Sequence, residues 1–166
     1  MIACISGNKV LPSIVYTPRD RGSRGVAGIN EQMLIDYIED LLGRSISGLD
    51  LYPLVLVYDK APIHNSQRVL DSFHSVGCEE LKEVVKLPTQ GPKRLSPLDN
   101  SLFSQWKHRV RSHFPLTESN IVSVMVKEWE ATDPKQIKSY YHHCGLTYGS
   151  DLYGDCPAPH KHNHPD

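Results

Sequence analysis

The chain has 166 residues, 39 % of them hydrophobic, and a formal net charge of −1. It is long enough to bury one substantial core, and no run approaches the roughly 18 apolar residues of a membrane helix. A single domain with no membrane partner is therefore expected, and the near-neutral total charge gives no sign by itself of a nucleic-acid binder. The opening MIACISGNK lacks the layout of a secretory signal, so an intracellular address is expected. Cys4, Cys78, Cys144 and Cys156 are scattered without CxxC spacing, which points to reduced thiols rather than a disulfide framework.

Taken in chain order, Ile2–Ser6 and Leu11–Tyr16 read as two strands around the turn Gly7-Asn8-Lys9. The stretch RDRGSRG, which holds Asp20, reads as a polar loop. Asn30 caps a helix whose apolar residues Met33, Tyr37, Ile38, Leu41 and Leu42 recur at helical spacing, with Gly43 as its end. After Pro53 comes LVLVY (Leu54–Tyr58), a short apolar run that predicts a buried strand ending on Asp59. A helix over Ser66–His74 buries Val69, Leu70 and Phe73 and stops at Gly77, and LKEVVKL (Leu81–Leu87) contains a short strand. Beyond the loop PTQGPKRLSP, a helix from Asn100 to about His113 presents Leu102, Phe103, Trp106 and Val110. Thr117 opens another, with Ile121, Val124, Met125 and Trp129 as its stripe. Asp133, Pro134 and Gln136 start a last helix that buries Ile137, Tyr140 and Tyr141 and stops at Gly145. No internal repeat or second domain is visible.

Two aspartates stand at chemically suggestive places. Asp59 closes the LVLVY strand, and Asp99 lies in LSPLDNSLFSQWK at the threshold of a helix, with 39 residues between them. One acid on a strand tip and another at a helix start can share a divalent metal, as phosphoryl transfer on nucleic acid requires. Either residue alone has a plainer use, since an Asp before a helix is commonly an N-cap. The surroundings are more specific, and they resemble the DDE/D transposases of the mariner and pogo kind. In that family a D-N-A-P-x-H-like motif ends a strand, matched here by Asp59, Lys60, Ala61, Pro62, Ile63 and His64, with Lys60 in place of the usual Asn. A P-L-D segment before a helix is matched by Pro97, Leu98 and Asp99, followed by Phe103 and Lys107. The resemblance runs from about residue 1 to YYHHCGL (Tyr140–Leu146).

That resemblance implies an α/β, ribonuclease-H-like mixed sheet flanked by helices, with extra C-terminal helices. It also implies catalytic, metal-binding roles for Asp59 and Asp99, with Mg2+ or Mn2+ as cofactor and DNA as partner. The family's first acid sits on the sheet's first strand, upstream of the matched segment. No Asp or Glu precedes Asp20, and the usual helix-turn-helix region has no counterpart. Residues 1–146 are thus expected to be a transposase core without its first strand and first acid, leaving that strand's neighbours unpaired. His64 could approach the metal shell, but the reading preferred here is that it orders its loop through backbone hydrogen bonds, because a metal activates water without a histidine base.

Charge is unevenly distributed. Residues 86–113 carry Lys86, Lys93, Arg94, Lys107, Arg109 and Arg111 against Asp99 alone, a local excess of +5, while the segments on either side are each at −3. Lys93, Arg94, Lys107, Arg109 and Arg111 are accordingly the candidate phosphate-binding residues; the plain alternative is a solvated helix face. Residues 147–166 form a Gly/Pro/His-rich tail with little aliphatic content. Cys156, His160, His162 and His164 have the chemistry to bind zinc or copper but not the spacing of a structural zinc site. Three functions follow as expectations: a DDE/D endonuclease, nuclear in a eukaryote, that cleaves and joins DNA; an inactive transposon-derived domain that keeps nucleic-acid binding or self-association as a homodimer; and a metal-sequestering protein acting through its tail.

Overall fold

The computed structural model describes residues 1–7, 9–46, 54–79, 81–88 and 95–146. The chain opens with an antiparallel hairpin, β1 (Ile5–Ser6) and β2 (Lys9–Val10), in the register Ile5↔Val10 and Ser6↔Lys9. Gly7 takes the left-handed backbone its turn needs, at φ 58°. The pairing continues outward through Leu11 N–H to the Cys4 carbonyl (2.9 Å) and an isolated bridge between Ile2 and Ile14. The second strand is therefore shorter and earlier than the expected Leu11–Tyr16, because Pro12 has no N–H to give to a ladder.

Alternation along this hairpin divides the interior in two. Ile2, Cys4, Leu11 and Ile14 pack into one core with the helices that follow, while Met1, Ala3, Ile5 and Val10 pack into a second core with the C-terminal helices. Both faces of two short strands are thus covered, which places the hairpin centrally.

The segment read as the loop RDRGSRG is a short helix, α1 (Pro18–Ser23). Thr17 and Asp20 make a capping box and Pro18 occupies the first turn, a local signal stronger than the Gly and Arg content around it. Asp20 is committed to that cap, taking hydrogen bonds from the Thr17 N–H and hydroxyl at 2.7 Å each. These bonds hold its carboxyl below the usual range.

Helix α2 (Glu31–Tyr37), capped by Asn30, passes through a π-helical turn at Ile38–Leu42 into α3 (Gly43–Ile46). Gly43 does not end the helix. It is buried and helical, and a Cβ there would overlap Cγ2 of Val76 and lie 2.9 Å from the Ile38 carbonyl oxygen. Its lack of a side chain serves close approach rather than termination.

Strand β3 (Leu54–Tyr58) pairs in parallel with β4 (Leu81–Lys86), and α4 (Ser66–Ser75) crosses between them. Leu54, Leu56 and Tyr58 pack toward α4 and α2. The opposite face of β3 is open, with Val55 51 % and Val57 48 % exposed. The sequence pattern predicts a strand buried on both faces; among the described residues nothing covers this one.

A second π-helical turn (Leu98–Leu102) leads into α5 (Phe103–Ser112), followed by α6 (Ile121–Glu130) and α7 (Pro134–His143). Indole hydrogen bonds fasten this layer. Trp106 Nε1 donates to the Met125 carbonyl at 3.0 Å, and Trp129 Nε1 donates to the Leu11 carbonyl at 2.9 Å. Ile121, expected in the stripe of α6, is 36 % exposed at the helix start. Among the described residues Cys4, Cys78 and Cys144 form no disulfide.

The chain is a mixed α/β protein whose described strands form two separate two-stranded sheets, β1–β2 and β3–β4. Among the described residues no helix is long and apolar enough to cross a membrane.

Candidate functional site

Asp59 follows β3 directly, and its position is organised by the PIH residues after it. His64 Nδ1 lies 2.9 Å from the Asp59 backbone oxygen and 2.9 Å from Oδ1, and the Ala61 N–H donates to Oδ1 at 3.3 Å. The imidazole also leans on Tyr58, with ring centroids 4.3 Å apart, and the Tyr58 hydroxyl donates to Ser66 Oγ at 3.2 Å. Burial raises the Tyr58 pKa above its ordinary value, against the smaller opposing effect of Ser66. His64 thus orders the loop through the backbone, as its preferred reading expects, and in addition holds one carboxylate oxygen. With Asp59 48 % exposed, the other oxygen remains available for a ligand.

Asp99 sits inside the first turn of its helix, one residue past Leu98, rather than at a cap. The capping role passes to Ser96, whose Oγ accepts the Asp99 N–H at 3.3 Å. Among the described residues the Asp99 carboxylate has no hydrogen-bond or ion-pair partner, and the residue is exposed. Its plainer reading as an N-cap is removed.

Both acids line one cleft of about 360 Å3. Met1–Cys4 and Leu56–Asp59 form its two walls, Tyr37, Ile38 and Val69 lie among its apolar lining, and His64, Ser96, Leu98 and Phe103 border it near the acids. Asp20 is not part of it. Two carboxylates with oxygen atoms open to solvent suit a hard cation that keeps several waters, such as Mg2+ or Mn2+. Among the described residues no group of three or more His, Cys, Asp or Glu is placed to share a metal ion. No family model, curated protein or solved structure matches this chain. The chemistry of the cleft therefore rests on its own residues.

The basic candidates separate. Lys107 and Arg111 are exposed on α5, at intervals of four from Phe103, which borders the cleft. Arg109 is committed elsewhere. Its Nε meets Glu128 Oε2 at 3.2 Å, and Nη2 donates to the Glu128 carbonyl at 3.0 Å and to Thr132 Oγ1 at 2.9 Å. His113 Nε2 lies 2.7 Å from the other Glu128 oxygen. Arg109 therefore braces α5 against α6 and leaves the phosphate set, a distinction that helical spacing alone does not make. Lys93 and Arg94 lie outside the described residues, as do Cys156, His160, His162 and His164 in the 147–166 tail.

Sequence reasoning missed Ser96 and Met1, both of which line the cleft. No local signal could have found Met1, since its place depends on tertiary packing alone. Ser96, three residues before Asp99, was legible as a cap.

The two acids should differ in what they do for stability. His64→Ala is expected to cost about 1–2 kcal/mol, since it removes a charge-assisted hydrogen bond and the ring stacking on Tyr58. It should also speed amide exchange at Ala61 and His64. Asp99→Ala is expected to cost less than about 1 kcal/mol, the worth of an exposed acid in a first helical turn. Urea unfolding of the two variants checks this, and a large loss at Asp99 would show a structural partner for it.

Proposed function

We propose that this chain is a nucleic-acid-binding domain of transposase ancestry, a ribonuclease-H-like core whose cleft binds one divalent metal through Asp59 and Asp99. The observation that carries the reading is that these two acids, with 39 residues between them in sequence, open onto the same cleft. The match of Asp59–His64 and Pro97–Asp99 to the family's motifs supports it. Mg2+ is characteristically held by one or two carboxylates together with substrate phosphates. Here that means weak metal binding by the protein alone, with a nucleic-acid backbone completing the shell. When bound, the metal supplies charge neutralisation and an activated water. The chain's own parts orient Asp59 through His64 and attract the backbone through Lys107 and Arg111, with Lys93 and Arg94 in the same basic segment.

Strand cleavage by these 166 residues is expected to be slight. Two carboxylates place a metal and its water less rigidly than three, and small misplacements cost orders of magnitude in rate. Asp20, locked in the capping box of α1, is not poised to act as the third.

Fluorescence anisotropy with duplex DNA of unrelated sequences tests the binding. Affinity should be similar across sequences and fall steeply with salt. The double change Lys107→Ala, Arg111→Ala should weaken binding at least tenfold and flatten the salt slope by about two, close to one for each phosphate that is no longer neutralised. Mn2+ should broaden NMR signals of the residues around Asp59 and Asp99, and Asp59→Asn or Asp99→Asn should abolish the effect. DNA affinity unchanged in the double variant, with no Mn2+ broadening at the acids, would overturn the reading.

A further inference from the structure

Helix α5 carries Lys107 and Arg111, and just beyond its end stands Phe114, 86 % exposed. Among the described residues the next most exposed large hydrophobic is Val55, at 51 %. A single apolar residue in water is ordinary on a protein surface. Phe114 differs in how it is displayed and in what stands beside it.

The chain is fastened on both sides of this residue. Before it, the His113 N–H donates to the Val110 carbonyl at 3.2 Å, and His113 Nε2 lies 2.7 Å from Glu128 Oε1 on α6. After it, Asn120 Nδ2 donates to the Pro115 carbonyl at 3.1 Å, while Asn120 Oδ1 accepts the Thr117 N–H at 2.8 Å. Leu116 turns inward and packs against the second core. The apolar stretch Phe114-Pro115-Leu116 thus buries one large side chain and holds the other out, on backbone anchored at both ends. Burial is the favourable course for an aromatic ring, and here the anchored backbone keeps the ring in water.

The neighbouring charges decide what such a ring takes. From Asn100 to Thr117 the sequence has no Asp or Glu, while Lys107, His108, Arg109, Arg111 and His113 all fall in that stretch. Arg109 and His113 are engaged by Glu128, and Lys107 and Arg111 are exposed. Phe103, Lys107, Arg111 and Phe114 follow one another at intervals of four, four and three, the spacing that keeps side chains along one flank of a helix. A nucleic acid uses both features together, with phosphates on the cations and a base on the aromatic face. A base inside a duplex has both faces covered by its stacked neighbours and offers neither to Phe114. The strand that fits is therefore unpaired.

Building on the nucleic-acid reading above, we propose that Phe114 is a stacking platform for an unpaired base of a single-stranded nucleic acid whose phosphates lie on Arg111 and Lys107. Stacking of this kind is tolerant of sequence, because every base has a π-face. Phe114 lies 11 residues beyond Phe103, about 16 Å of helical rise. The stacked base is thus outside the cleft and needs neither acid nor metal.

The test is fluorescence anisotropy with three labelled probes: a single strand of about ten nucleotides, the same strand made abasic throughout, and its duplex. Phe114→Leu keeps apolar bulk and removes the flat ring. It should weaken binding of the intact single strand about tenfold and change binding of the abasic strand and the duplex less than about twofold. An unfolding midpoint equal to that of the native chain shows that the leucine variant is folded. Phe114→Trp should bind the single strand at least as tightly as the native chain. Trp106 and Trp129 are buried, so quenching of the new indole by the intact strand, and not by the abasic one, reports the stack directly. Equal losses on the intact and abasic strands would overturn the proposal, as would single-strand affinity unchanged in Phe114→Leu. In that second case, with binding still weakened by the Lys107→Ala, Arg111→Ala change, the nucleic-acid reading stands and Phe114 belongs to a contact with another protein. If the native chain binds none of the three probes, both readings fall.

Discussion

Trp129→Ala is expected to be the most damaging single change in the chain, lowering stability by about 3–5 kcal/mol. Trp129 is fully buried, and its indole lies against Phe103 with ring centroids 6.1 Å apart. Its Nε1–H is the donor to the Leu11 carbonyl, a bond that spans 118 positions and ties α6 to the hairpin on the far side of the second core. Two losses combine: apolar area with its cavity, and a buried carbonyl left without a partner, itself worth about 1–3 kcal/mol. Trp129→Phe separates them, because it keeps much of the area and removes only the donor. Urea unfolding followed by circular dichroism should place the phenylalanine variant between wild type and alanine. Domains have about 5–15 kcal/mol in all, so the alanine variant should be largely unfolded at mild urea concentrations. A cost below about 1 kcal/mol for Trp129→Ala would mean that α6 does not dock on the hairpin as described.

The second large effect is expected at Gly43. In an ordinary exposed helix interior, replacing glycine by a residue with a side chain gains a few tenths to about 1 kcal/mol. Here Gly43→Val should instead cost about 2–3 kcal/mol, the range of overpacking in a tight core. The new Cβ would overlap Val76 Cγ2 and lie 2.9 Å from the carbonyl oxygen of Ile38 in the π-helical turn, a backbone atom that cannot rotate away as a side chain can. Val76→Ala in the same chain should recover part of the loss by removing the methyl, but not the part due to the Ile38 backbone. Unfolding midpoints of the single and double variants read this directly. A neutral or stabilising Gly43→Val would return Gly43 to the role of helix end.

The candidate site combines residues held in opposite ways. Asp59 is held by groups within five positions of itself, so its geometry is largely local. Asp99 is held only by its helix, and a function that depends on it depends on how α5 packs. Arg109 shows the converse, a basic residue that charge counting assigns to phosphate and packing assigns to Glu128. Lys107 and Arg111 are exposed on α5 and stay in the proposed phosphate set, which the double alanine variant tests.

Most of the elements were legible because their signals are local. Caps at Asn30 and Asp133, the stops at Gly77 and Gly145, and the periodic stripes of α2, α4, α5 and α7 act within a few residues of chain. Local chemistry was also enough for α1, where a Thr-Pro-x-Asp capping box was outweighed in the reading by glycine and arginine content. Placing both Asp59 and Asp99 at the ends of their elements needed no more than the sequence. Tertiary structure alone decided the rest. Helical spacing cannot say whether Gly43 stops a helix or admits Val76, because that depends on a residue 33 positions away. An apolar run such as LVLVY specifies a strand, but whether both its faces and both its edges are covered depends on which segments arrive beside it. The two separate sheets face each other across a cleft rather than a ladder for that reason: hydrogen-bond pairing is a property of neighbours in space, and the sequence of one strand does not contain its neighbour.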